Sequence, residues 1–389
     1  MKKRINLCLA ILLYIILAAS LAYAVKKLSI SFLRKEMFDI LTIISFMLAY
    51  IFSILIHELS HFCAFWCSGI KVRILAMFGI VMIFNEKSIK ISIYPKMCLK
   101  GGWVLPRTYT MEASEDYEKY KKNFCFSLII APIVSLAMMF ILIIVAGLIP
   151  VGKTYKEFMF FYSFFAIVLN ITSLFRLDNM WGDYYAFYKY KMDDFSFLYH
   201  VCRNYAIMRS NNDIPLGIYM VKKVKSALIE NSADIREKYI DERIAYAINL
   251  AIMRYFIYQE KIEEEIEEII SFYIDIPEKI AIDEKAEEIK ILLIHLIYYL
   301  KYNNDEKWKK LVVLCEDLFD DKEVNRYYAL QIRQFCFQEN NSEFLLDNSN
   351  IKTSSSWRIE QMLGVKQLEE KYLYQIFEQK NVCNILEAK

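Results

Sequence analysis

The chain has 389 residues, 56% hydrophobic and 15% aromatic, with a formal net charge of +2. A balance so near zero, with no basic stripe interleaved with aromatics, argues against a nucleic-acid partner. Nine cysteines, an odd number without regular spacing, argue against a disulfide scaffold. Cys8, Cys63 and Cys125 lie in or beside apolar runs, where a thiol is simply a small hydrophobe.

The apolar residues are unevenly spread. Nearly all long uncharged runs precede residue 176, and the rest of the chain is charge-laced. Met1-Lys2-Lys3-Arg4 leads into Ile5–Val25, an uncharged run long enough to span a bilayer. Ala22-Tyr23-Ala24 is a weak signal-cleavage candidate, so this segment (about 5–25) reads as a first transmembrane helix with its N-terminus in the cytoplasm. A second helix, about 38–67, carries no charge from Ile40 to Ile56 and ends at Ser68-Gly69.

Inside that helix stands Ile56-His57-Glu58-Leu59-Ser60-His61. Side chains four apart on a helix lie one above the other, so two neutral imidazoles so placed can hold one Zn²⁺. Glu58, on the neighbouring face, can take a proton from a metal-bound water. Ionisable groups within a membrane span are costly, which makes this cluster a functional-site hypothesis in its own right. Cys63 and Cys67 share the helix and are further, weaker candidates for the metal.

Residues 70–105 read as a β-rich insert at the membrane interface. Ile80–Phe84, the turn Asn85-Glu86-Lys87 and the alternating Ile89–Tyr94 give strand, turn and strand, with Gly101-Gly102-Trp103 beyond. Uncharged runs at about 123–149 and 157–176 read as third and fourth transmembrane helices; Pro132 and Gly147 are tolerated in such a helix. Ala64–Lys122 carries ten Lys and Arg, against four in Val25–Phe38 and two in Val151–Glu157. That excess places the insert, the N-terminus and everything after Arg176 in the cytoplasm. Helices two and four then run in the same direction, so the histidine pair meets two acidic candidates for a third ligand, Asp178 and Asp183.

From about Tyr184 the pattern is helical throughout. Glu260–Ile270 spaces isoleucines at i, i+4, i+7 and i+8, and Glu284–Tyr302 and Trp308–Phe319 repeat the style. Paired helices of this kind predict a soluble α-hairpin stack, repeat-like but without a fixed period of recurring residues. His200 and His295 read as structural. The expected fold is mainly α: a polytopic membrane domain (1–190) with about four transmembrane helices and a small β-rich insert, then a soluble α-helical domain (191–389).

Over about residues 38 to 190 the chain resembles the site-2 protease family of intramembrane zinc peptidases. The likeness rests on His57-Glu58-Leu59-Ser60-His61 in a transmembrane helix, on Gly69 and the insert with Gly101-Gly102, and on a later Asn-led segment ending in Asp. It implies zinc held by the two histidines and an aspartate, Glu58 as catalytic base and Asn170 helping to seat substrate. The chain departs from the family's Asn-x-x-Pro and Asp-Gly pattern. Ser173 stands at the proline position, Asp178 precedes Asn179, and Asp183 follows rather than precedes a glycine. Asp178 has the spacing of compact members, whereas Asp183 before Tyr184-Tyr185 resembles longer-spaced bacterial members and is slightly favoured.

The resemblance implies a zinc metalloendopeptidase in a bacterial cell membrane that cleaves a membrane-embedded or membrane-associated peptide. Its partners are then lipid, a peptide or membrane-protein substrate, and a protein bound by the cytoplasmic helical domain. Two alternatives stand beside it. One is a catalytically weak, membrane-anchored binding or regulatory protein working through its C-terminal helices. The other, a divalent-metal carrier, is disfavoured because helices one and three lack acidic groups.

Overall fold

A computed structural model describes residues 40–85, 87–93, 101–107, 111–177, 180–208, 217–232, 240–276, 287–318, 323–337, 339–341 and 343. The predicted helix at 5–25 and the candidate ligand Asp178 lie outside these. The described residues are mainly helical and fall into two compact units. One lies within residues 1–107 and 119–192, the other within 108–118 and 193–389.

The first unit opens with α1 (Ile40–Cys67), which contains the His-Glu-x-x-His run. One face is a stripe of small or polar residues, Ser45, Ala49, Ser53, His57, Ser60, His61 and Ala64, all buried. Small side chains let helices approach closely, and Ala49 clusters with Met139, Tyr162 and Ala166. The opposite face leaves Ile40, Leu41, Ile43, Ile44, Met47 and Leu48 exposed. Gly69 closes α1 in the left-handed region (φ 76°), with Ile70 N donating to Phe65 O and Gly69 N to Trp66 O at 2.9 and 3.0 Å. That pair of bonds satisfies carbonyls the helix end leaves open.

The insert is a four-stranded antiparallel sheet in the order β3-β2-β1-β4, from β1 (Val72–Met77), β2 (Ile80–Phe84), β3 (Ile89–Ile93) and β4 (Gly102–Pro106). The β2–β3 hairpin lies where the alternation predicts it. The alternation does not reveal β1 and β4, because Val72–Met77 and Gly102–Pro106 are buried by neighbours and do not alternate in polarity. Phe78 and Gly79, both at positive φ (52° and 79°), make the two-residue turn from β1 to β2. Cross-strand pairs Ile80–Ile93, Met82–Ile91 and Phe84–Ile89 line up on one face, where Ile80, Ile89, Ile91 and Ile93 are exposed.

Next come α2 (Ser114–Leu148), α3 (Lys153–Thr172) and α4 (Asp183–Met192). Helix α2 starts nine residues before the predicted run at 123, its first turns being charged. Helix α3 ends at Thr172 rather than 176, and the chain turns into a two-stranded hairpin of β5 (Arg176–Leu177) and β6 (Met180–Trp181). Among the described residues, α1 and α2 are long and apolar enough to cross a membrane. Helix α3, with Lys153, Lys156 and Glu157 in its first turns and Asn170 near its end, is too polar to join them.

The second unit contains α5 (Asp194–Met208), α6 (Ile218–Glu230), α7 (Glu242–Tyr258), α8 (Glu264–Asp275), α9 (Glu287–Tyr302), α10 (Trp308–Leu318) and α11 (Glu323–Phe337). Helices α5, α7, α9 and α11 pack in series, while α6 packs on α5 and α8, and α10 on α9 and α11. The second unit is helical, as the sequence pattern predicts. The isoleucines Ile266, Ile269, Ile270 and Ile274 of α8 are buried, and its glutamates Glu264, Glu265 and Glu268 are exposed.

Candidate metal centre

The site forms where α1, α2 and the start of α4 meet in the first unit. His57 Nε2 lies 3.0 Å from Asp183 Oδ2, and His61 Nε2 lies 3.4 Å from Asp183 Oδ1. The two rings stand edge to face with centroids 5.0 Å apart. One ligand atom from each of the three residues falls within 4.8 Å of the other two, the only such group of three or more His, Cys, Asp or Glu among the described residues. Cys63 and Cys67 are exposed on the same helix and lie outside this group. The helical spacing that stacks the histidines turns those thiols away.

The other ring nitrogens settle the tautomers. His61 Nδ1 is 2.9 Å from the Ser127 carbonyl oxygen, which can only accept, so Nδ1 carries the proton. His57 Nδ1 is 3.3 Å from Ser135 Oγ, whose own proton goes to Ala131 O at 2.9 Å, so this ring nitrogen also donates. Both Nε2 lone pairs therefore point at a carboxylate. Two nitrogen lone pairs and a carboxylate facing one another repel unless a proton or a metal ion stands between them. Two imidazoles and one carboxylate, with each ring held at Nδ1 by an outer acceptor, form a group that could hold a metal ion.

Glu58 is 7% exposed and its Oε2 makes no hydrogen bond within the protein. It is pressed against β4: a Cβ built on Gly102 would lie 2.4 Å from Glu58 Cγ and 2.8 Å from its Cδ. The glutamate thus occupies space that only a glycine leaves open.

Of the residues the sequence singles out, the structure brings His57, His61 and Asp183 together and buries Glu58 on the same helix as the two histidines. Asn170 is fully buried, with Nδ2 donating to Ala166 O at 2.8 Å and to Pro132 O at 3.3 Å. Ser127, Ser135 and Gly102 escaped the sequence-based assignment. Ser127 and Ser135 stand eight apart, on one face of the uncharged part of α2, and polar residues in such a run were the available signal. No known protein family, curated protein or solved structure matches the chain.

Proposed function

We propose that this protein is an intramembrane zinc-dependent endopeptidase of the site-2 protease kind, a multi-pass protein of a bacterial cell membrane with its second unit in the cytoplasm. The observation that carries the reading is the convergence of His57, His61 and Asp183 beside a buried Glu58 on an apolar helix. The uncovered apolar face of α1 and the exposed isoleucine face of β2–β3 support a lipid setting, since water-soluble chains rarely expose so much contiguous apolar surface.

His57, His61 and Asp183 would hold the zinc. When bound there, zinc supplies Lewis-acid polarisation of a peptide carbonyl and acidifies a water. Glu58 would act as the base, taking a proton from the attacking water and returning it to the leaving amine. Its burial keeps bulk water from competing for that proton. Ser127 and Ser135 keep both Nδ1 protons in place, so the Nε2 atoms stay available as donors. The substrate must present an extended backbone. Among the described residues β4 is an edge of the sheet, and its Gly102 abuts Glu58, so a peptide added along this edge would lie beside that glutamate.

The test is cleavage of a co-expressed single-span membrane peptide. Glu58→Gln is expected to lower the rate by about a hundredfold to ten-thousandfold while bound zinc, measured by mass spectrometry, is retained. Undiminished cleavage by that variant rules the mechanism out. A wild type that binds zinc yet cleaves no membrane peptide would favour the anchored binding protein, a reading that Ser173 at the proline position also favours.

A further inference from the structure

The third ligand comes from a different segment than the histidines, and the residues on either side of it are built into α3. Gly182 lies so close to Ser173 that a Cβ added there would sit 2.5 Å from the Cα, C and O of Ser173. Backbone cannot swing aside as a flexible side chain can, so any side chain at 182 must displace the start of α4. Gly182 N donates to Phe175 O and Tyr185 N to Ser173 O, each at 3.0 Å. The Tyr184 hydroxyl donates to Asn170 Oδ1 at 3.4 Å. Asn170 is held in turn by its bonds to Ala166 and Pro132. None of these contacts uses the Asp183 carboxylate, yet together they fix the backbone that carries it.

We propose that Gly182 and Tyr184 are positioning residues that hold Asp183 on the histidine pair, and that Asn170 anchors Tyr184 rather than seating substrate. The inference rests on the metal-centre reading above. Its physical basis is preorganisation. A carboxylate on a loose hairpin would lose conformational freedom at each binding event, whereas one already aimed at both Nε2 atoms loses little. The arrangement also accounts for the departures from the Asn-x-x-Pro and Asp-Gly pattern. Ser173 N donates to Leu169 O at 3.0 Å, a bond proline would remove, and the glycine is needed before the aspartate because Ser173 backs onto it.

The experiment measures zinc affinity of the full-length protein in detergent by chelator competition, together with the visible absorption of the Co²⁺-substituted protein. Asp183→Ala is expected to weaken zinc binding by about a hundredfold or more, and Gly182→Ala by about tenfold to a hundredfold. Tyr184→Phe, which deletes a single hydroxyl, should cost about fivefold. Gly147→Ala, at a glycine with open space around it, should bind as wild type. If Gly182 acts through Asp183, the double variant Gly182→Ala/Asp183→Ala is no weaker than Asp183→Ala alone, and the Co²⁺ spectrum of Gly182→Ala moves toward that of Asp183→Ala. Should Gly182→Ala fail to fold, Tyr184→Phe and Asn170→Ala carry the same test. Wild-type affinity in Gly182→Ala and Tyr184→Phe, or a double variant that loses the product of both single effects, overturns the inference. In that outcome, zinc binding that is lost in His57→Ala leaves the metal centre standing. A wild type that binds no zinc overturns both.

Discussion

His57 and His295 are buried almost equally, 7% and 5% exposed, on helices of two different units. In the second unit, His295 Nδ1 meets Asn249 Oδ1, the oxygen of a neutral amide, at 3.0 Å. In the first unit, His57 faces a carboxylate shared with a second histidine, and a glutamate without a hydrogen bond at its Oε2 stands on the same helix. The second unit treats its charges the same way it treats its histidine. Arg243 is matched by Asp193 and Asp241, and Lys225 by Glu263. Burying a polar group is tolerable when a partner answers it. In the first unit two imidazoles converge on one carboxylate, a group that could hold a metal ion, and that contrast distinguishes the two histidines.

Breaking the contrast at its root should give the largest effect. His57→Ala or His61→Ala is expected to weaken zinc binding by more than about a hundredfold, beyond what loss of an outer-shell partner does. His295→Ala should leave zinc binding untouched and instead lower the thermal stability of the second unit by about 1–3 kcal/mol, because the buried hydrogen bond to Asn249 is lost. Equal zinc loss in His295→Ala would remove the distinction.

A smaller change sharpens the difference between holding a metal and using it. Gly102→Ala places a methyl group where Glu58 now sits, so the glutamate must move. Cleavage of a membrane peptide should fall by about a hundredfold, while zinc binding stays near the wild-type level. A Gly102→Ala protein that cleaves normally would show that Glu58 tolerates displacement and is not the base.

The smallest effect belongs to the second unit. Asp241 caps α7 by accepting from Arg243 N and Ile244 N at 3.0 and 3.1 Å. Asp241→Ala should cost about 1 to 2 kcal/mol of stability, read by thermal unfolding, with cleavage unchanged. A large loss of cleavage in that variant would mean that the second unit contributes to the reaction.

Much of the first unit is legible in the amino-acid sequence. The uncharged runs predict α1 and the apolar part of α2, the two described helices long and apolar enough to cross a membrane. The β2–β3 hairpin follows from strict alternation, and Gly69 marks the end of α1 through its left-handed backbone. The fourth apolar run is less simple than its composition suggests. Phe158–Phe175 looks like one continuous span, yet the helix stops at Thr172, where the Ser173 hydroxyl turns back to Leu169 O at 2.7 Å and the chain enters a hairpin.

The amino-acid sequence by itself determined the histidine pair, the glutamate between them and the apolar rod that bears them, because helical periodicity is local and four residues suffice to stack two rings. It left the third ligand open between Asp178 and Asp183. Only the tertiary structure brought Asp183 to the rings, set Ser127 and Ser135 behind them and opened the space for Glu58 at Gly102. Those contacts join residues far apart in the chain, 126 positions between His57 and Asp183. Helix crossings and one close backbone approach fix them, and such long-range geometry leaves no period or spacing in the chain from which to read it.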